Sequence, residues 1–236
     1  MRCTGVALAL GGALTLLINA GLTPLIPAHA PFAKTAASVI FLWRQGASAL
    51  AAALLLFGSI GLYLGQAERA GPFGAVAFAM AFFGSALLLA TEWAEVFLVR
   101  TLALRVPDAL QTLDAGHGLN GYDWGALIAL GMFALGWIAL AASTFRTAIL
   151  SRGAAALVIA GFFATPLLGA ALPGAWGAVV GNGILGLGWF WLGSDLRRLA
   201  ATRSPTLTTP ANQASTERSQ DGTAKLSGDD ARERQI

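Results

Sequence analysis

Long apolar stretches alternate with short polar patches along most of this chain. The stretches run over residues 4–22, 46–64, 73–93, 124–143, 153–172 and 175–193. Each is roughly 18–20 residues long, and at ~1.5 Å per residue such a helix crosses a ~30 Å hydrocarbon core. The polar breaks are of several kinds. Glu68 and Arg69 mark a turn over residues 65–72, and a longer mixed segment fills residues 94–123. Arg146 and Arg152 form a basic connection, Pro173-Gly174 reads as a tight turn, and Asp195, Arg197 and Arg198 stop the last stretch. The pattern predicts an all-α membrane protein, a bundle of six transmembrane helices in residues 1–198, with the second helix able to begin as early as Pro31. From about Leu199 the apolar period is gone. Residues 199–236 are rich in Ser, Thr, Ala, Gln and Asp, with balanced charges, and are expected to be a disordered cytoplasmic tail.

Composition sharpens this picture. Hydrophobic residues make up 56% of the chain and charged ones 11%, less than half of the ~25% usual in soluble domains. The net charge of +3 raises the question of nucleic acid. The arginines answer it, since they sit singly at the ends of apolar stretches and form no basic stripe. They are better read as topology signals. With the N-terminus inside, the inner side holds Arg2, Arg69, Arg146, Arg152, Arg197, Arg198 and Arg203, and the outer side holds Lys34, Arg44, Arg100 and Arg105. Both termini are therefore expected in the cytoplasm. Trp43, Trp93, Trp124 and Trp176 fall at the predicted outer boundaries, as an aromatic belt does. The excess of Arg over Lys, with abundant Ala and Gly, points to a bacterial cytoplasmic membrane. Ala28-His29-Ala30 has the small-x-small form of a signal-peptidase site. The preceding apolar stretch is long for a signal peptide, however, and Pro31 disfavours cleavage, so the first span is expected to stay.

Few residues carry candidate chemistry. A hairpin centred between Glu68 and Arg69 brings Arg44 to the depth of Glu92 and Glu95, which lie on one helix face. These three form either an outward-facing charged pocket or a structural ion pair at the headgroup boundary. Asn19 and Asn182 lie in the outer halves of the first and last spans, where they either line a cavity or bond between helices. Gly181-Asn182-Gly183-Ile184-Leu185-Gly186 matches a dinucleotide fingerprint, but that motif needs a preceding strand and a soluble βαβ unit. Gly177 with Gly181, and Gly61 with Gly65, instead have the small-xxx-small spacing of close helix packing. Pro166 is expected to kink the fifth span. Pro107 to Ala115 reads as a short amphipathic helix lying flat on the membrane, with Leu110 and Leu113 on one face. Asp114, His117 and Asp123 are a thin basis for a metal site.

Some chemistries are excluded. The only histidines, His29 and His117, fall in loops, so no buried pair holds a haem. Cys3 is the only cysteine, which leaves no intrachain disulfide and no cysteine metal cluster. No lysine lies in a span for a Schiff base. No metal and no cofactor is expected, and catalysis would have to run on Glu92 or Glu95.

Gly136-Trp137-Ile138-Ala139-Leu140 and Phe145-Arg146-Thr147-Ala148-Ile149-Leu150-Ser151-Arg152-Gly153 resemble the short basic connection of a group of uncharacterised bacterial six-helix membrane proteins. Glu92-Trp93-Ala94-Glu95 stands where that group often carries an acid. The chain lacks the proline that often opens the fifth helix there. The resemblance implies a six-helix bundle and no activity. The first functional expectation is a non-catalytic membrane protein acting through partners: the lipid bilayer, a second copy or another membrane protein. The alternative is a small-solute or ion transporter with an outward-facing charged cluster.

Overall fold

The computed structural model describes residues 1–27, 30–114 and 120–202. Among them there is helix and no strand. Helix α1 (Arg2–Leu17) runs into a π-helical turn (Ile18–Leu22) and a 3-10 turn (Thr23–Leu25). Then come α2 (Phe32–Ala37) and α3 (Val39–Ala94), a π-helical turn (Glu95–Val99), α4 (Arg100–Arg105) and α5 (Pro107–Asp114). Helices α6 (Gly121–Thr147), α7 (Arg152–Ala171) and α8 (Trp176–Thr202) complete the bundle. The 4 helical segments long and apolar enough to cross a membrane are Arg2–Leu25, Val39–Arg105, Gly121–Thr147 and Arg152–Ala171. Helix α8 falls outside that set; its glycines, tryptophans and Asn182 dilute its aliphatic content.

The second segment has 67 residues, and a straight helix of that length would reach ~100 Å. It folds at one residue. Gly71 has φ 59° and ψ −163°, a backbone region open essentially to glycine alone. Pro72 then opens the next helix with its φ already set. Two arms result, residues 39–70 and 72–94. The Tyr63 and Phe78 rings stack at 4.7 Å across the break, so the arms run antiparallel. This corrects the expected turn over 65–72: the helix continues through Glu68 and Arg69, and the pivot is Gly71. The first arm also starts earlier than residue 46. Ser38 caps it by accepting a bond from the Phe41 N–H at 3.1 Å, which fixes the helix start at Val39.

Three short helices, α2, α4 and α5, were not expected as core elements. Ala33 and Ala36 of α2, Phe41, Val99, Ala103 of α4 and Leu110 of α5 form a small second core. Leu110 of α5, read from sequence as part of a membrane-facing side, is buried in this cluster. Asn120 and Asp123 form a capping box at the start of α6. The Asp123 carboxylate thereby accepts from the Asn120 N–H at 3.0 Å. His29, His117 and the side chain of Asp114 lie outside the described residues, as does nearly all of the expected tail.

The long helices form a ring. α1 packs on the first arm of α3, the second arm packs on α6, and α6 packs on α7. The ring closes through α8. A Cβ on Gly188 would lie 2.8 Å from the Val158 side chain of α7, and one on Gly12 of α1 would lie 2.5 Å from the Gly186 carbonyl. At the centre, Trp137 and Trp189 meet edge to face at 5.3 Å, flanked by Phe133 and Phe162. The outside is apolar, with Leu17, Phe57, Phe83, Ile128, Phe163, Leu167 and Leu187 all exposed. The inside holds buried Gln45, Ser59, Gln66, Ser85, Ser143 and Thr144. A soluble protein distributes these types the other way round.

Candidate functional site

A cavity of about 510 Å³ lies inside the ring. All of the long helices contribute to it: Thr15 and Asn19 from α1, Arg44, Ser48 and Leu55 from the first arm of α3, and Leu88 and Glu92 from the second. Leu130, Phe133 and Ala134 come from α6, Phe162, Thr165 and Pro166 from α7, and Asn182, Leu185 and Trp189 from α8. From Arg44 to Leu55 the lining follows the helix for about 16 Å. One end is therefore polar, with Arg44, Glu92, Asn19 and Asn182. The other is aromatic and aliphatic.

The polar end is a hydrogen-bonded chain built from three elements. Helix α1 loosens into its π-helical turn at Ile18, where Asn19 Nδ2 donates to the Thr15 carbonyl at 2.9 Å. Thr23 Oγ1 donates to Asn19 Oδ1 at 3.5 Å and accepts from Arg44 Nε at 3.3 Å. Arg44 Nη1 donates to Gln45 Oε1. The Gln45 side chain also lies close enough to act on the Glu92 carboxylate. Arg44 acts electrostatically on both Glu92 and Glu95, but among the described residues it forms no direct ion pair with either. In place of the expected ion pair, the guanidinium donates to Gln45 on its own helix and to Thr23 in the 3-10 turn after α1. Glu95 sits aside from the cavity lining and accepts from Tyr122 Oη at 3.0 Å.

Two buried polar atoms at this cavity have no partner: Glu92 Oε2 and Trp189 Nε1. One is an acceptor at the polar end, and the other is a donor on an aromatic residue of the lining. Buried polar groups are normally satisfied, so such orphans mark where a bound molecule would make its bonds. The asparagines also differ from a packing role. Asn182 Nδ2 donates to the Ala178 carbonyl of its own helix at 3.0 Å, as Asn19 does to Thr15, and both side chains line the cavity.

The glycines sit at helix contacts. Gly177 lies against Gly169 and Gly181 against Thr165, both of α7. Gly61 lies against Thr4, and a Cβ on Gly65 would lie 3.2 Å from the Leu196 side chain. Sequence reasoning passed over Gln45, Thr23, Thr15, Thr165, Tyr122 and Trp189. A weak signal existed for three of them: Gln45 follows Arg44, Thr15 precedes Asn19 by one helical turn, and Thr165 adjoins Pro166. Among the described residues no group of acids, histidines and cysteines is placed to hold a metal ion. Comparison with protein-family models, with curated proteins and with solved structures finds no match for this chain.

Proposed function

We propose that this chain crosses a bacterial cytoplasmic membrane six times, with both termini in the cytoplasm, and binds and carries a small organic zwitterion with an apolar side group. The arginine bias supports the orientation. So do the four tryptophans at its outer boundary, Trp43, Trp93, Trp124 and Trp176, which are all exposed. In this orientation the polar end of the cavity faces outward.

The observation that carries the reading is the cavity with its orphaned Glu92 Oε2. A carboxylate oxygen without a donor suits an ammonium group, and Arg44 alongside suits a carboxylate. The aromatic end suits an apolar tail, as ligand sites combine an apolar lining with a few placed polar groups. Irregular helix at the site fits a carrier, since such proteins bind at interrupted helices. Here α1 carries the π-helical turn with Asn19.

The test is uptake of radiolabelled leucine and phenylalanine by proteoliposomes of the full chain. Saturable uptake above that of empty liposomes is expected for at least one of them, and Glu92→Gln should reduce it tenfold or more. Uptake no greater than in empty liposomes for both probes would sink the proposal.

A further inference from the structure

A second, smaller pocket lies at the opposite end of the bundle, where α3 folds back on itself. It has a volume of about 160 Å³ and is lined by Arg69, Ala70, Phe73, Ser143, Arg146 and Thr147. At about 30 Å³ per water, this is room for about five waters, enough for a small oxyanion with some water around it. Two guanidinium groups share this space, and neither meets a carboxylate among the described residues. Arg146 lies over the Phe73 ring at 5.3 Å, which orients it without neutralising it.

The floor of the pocket is polar and under-bonded. Ser143 is 1% exposed, and its Oγ has no hydrogen-bond partner. A Cβ at Gly74 would lie 3.1 Å from that hydroxyl, so the bare glycine leaves it room. Thr147 Oγ1 donates to Gln66 Oε1 at 3.2 Å. The Gln66 Nε2 amide, behind Thr147 and outside the lining, is buried and likewise has no partner. Among the described residues, two cations without a carboxylate and a hydroxyl without a partner line one pocket, a set of donors without an acceptor. Arginine forks match the oxygens of a phosphate.

We infer that this pocket is a binding site for a phosphate oxyanion, independent of the solute cavity. Phe73 and Phe145 are both exposed beside it, which places it at an apolar boundary. Basic pockets between membrane helices on the cytoplasmic side are suited to lipid head groups. A phospholipid head group and free phosphate offer the same chemistry, and experiment separates them.

The full chain in a neutral maltoside detergent is titrated with inorganic phosphate and, separately, with dioleoylphosphatidylglycerol, while thermal stability and native mass are followed. At least one probe is expected to bind the wild type. Arg69→Gln with Arg146→Gln should weaken that binding tenfold or more, and Ser143→Ala about threefold. Binding of the lipid alone assigns the site to a head group, and binding of inorganic phosphate assigns it to the free ion. Ser143→Ala keeps both charges and serves as the test if the double variant does not fold. Binding of neither probe, or equal binding by wild type and variants, would overturn the inference.

Discussion

Gln45 is buried beside Arg44 and Glu92, the two charges of the large cavity. Its oxygen accepts from Arg44, and its side chain lies close enough to act on the Glu92 carboxylate. This arrangement predicts indirect coupling. A double-mutant cycle of Arg44→Met with Glu92→Gln, read by unfolding in micelles, should give roughly 0.5–2 kcal/mol, as for residues in one network. In a Gln45→Leu background the coupling should fall near zero. Unchanged coupling there would mean that the guanidinium acts on the carboxylate directly. Depth along a helix can be counted from sequence, which is why Arg44, Glu92 and Glu95 were brought to one level. Rotation about the helix cannot be counted in that way. Which side chain intervenes, and that Glu95 turns to Tyr122, depends on how the helices pack.

At the scale of elements, the apolar stretches were legible because membrane crossing demands length and composition together. The fold of α3 was less so. Polar residues suggested a loop around Glu68 and Arg69, yet a helix tolerates charges at its end, and only Gly71 leaves helical geometry. Helix α2 is too short to show a strong period, and the period of α5 did not reveal its partner; their placement comes from the small core around Leu110. The pivot makes its own prediction. A Cβ on Gly71 would meet nothing within 4 Å, so Gly71→Ala carries a backbone cost alone, about 1–3 kcal/mol. Gly121 is equally open and has no positive φ. Thermal melts should therefore show Gly71→Ala clearly destabilised and Gly121→Ala close to wild type. Equal melting of the two would mean that the chain does not depend on this pivot.

At the scale of the whole molecule, the six-crossing proposal places the large cavity and the phosphate pocket on opposite faces of the membrane. Reporter fusions after Arg69 and Arg152 should read as cytoplasmic, and a fusion after Lys34 as external. A cytoplasmic Lys34 would reverse the arrangement. Beyond topology, the contact of Gly12 with Gly186 and of Gly193 with α1 joins the first long helix to the last. That closure bears on biogenesis. A ribosome releases α1 long before α8 exists, so the small-residue face of α1 waits without its mate through most of synthesis. Contacts so distant in sequence form late and leave exposed intermediates. The unfinished ring is thus the stage at which a membrane chaperone or quality-control protease would find its opening.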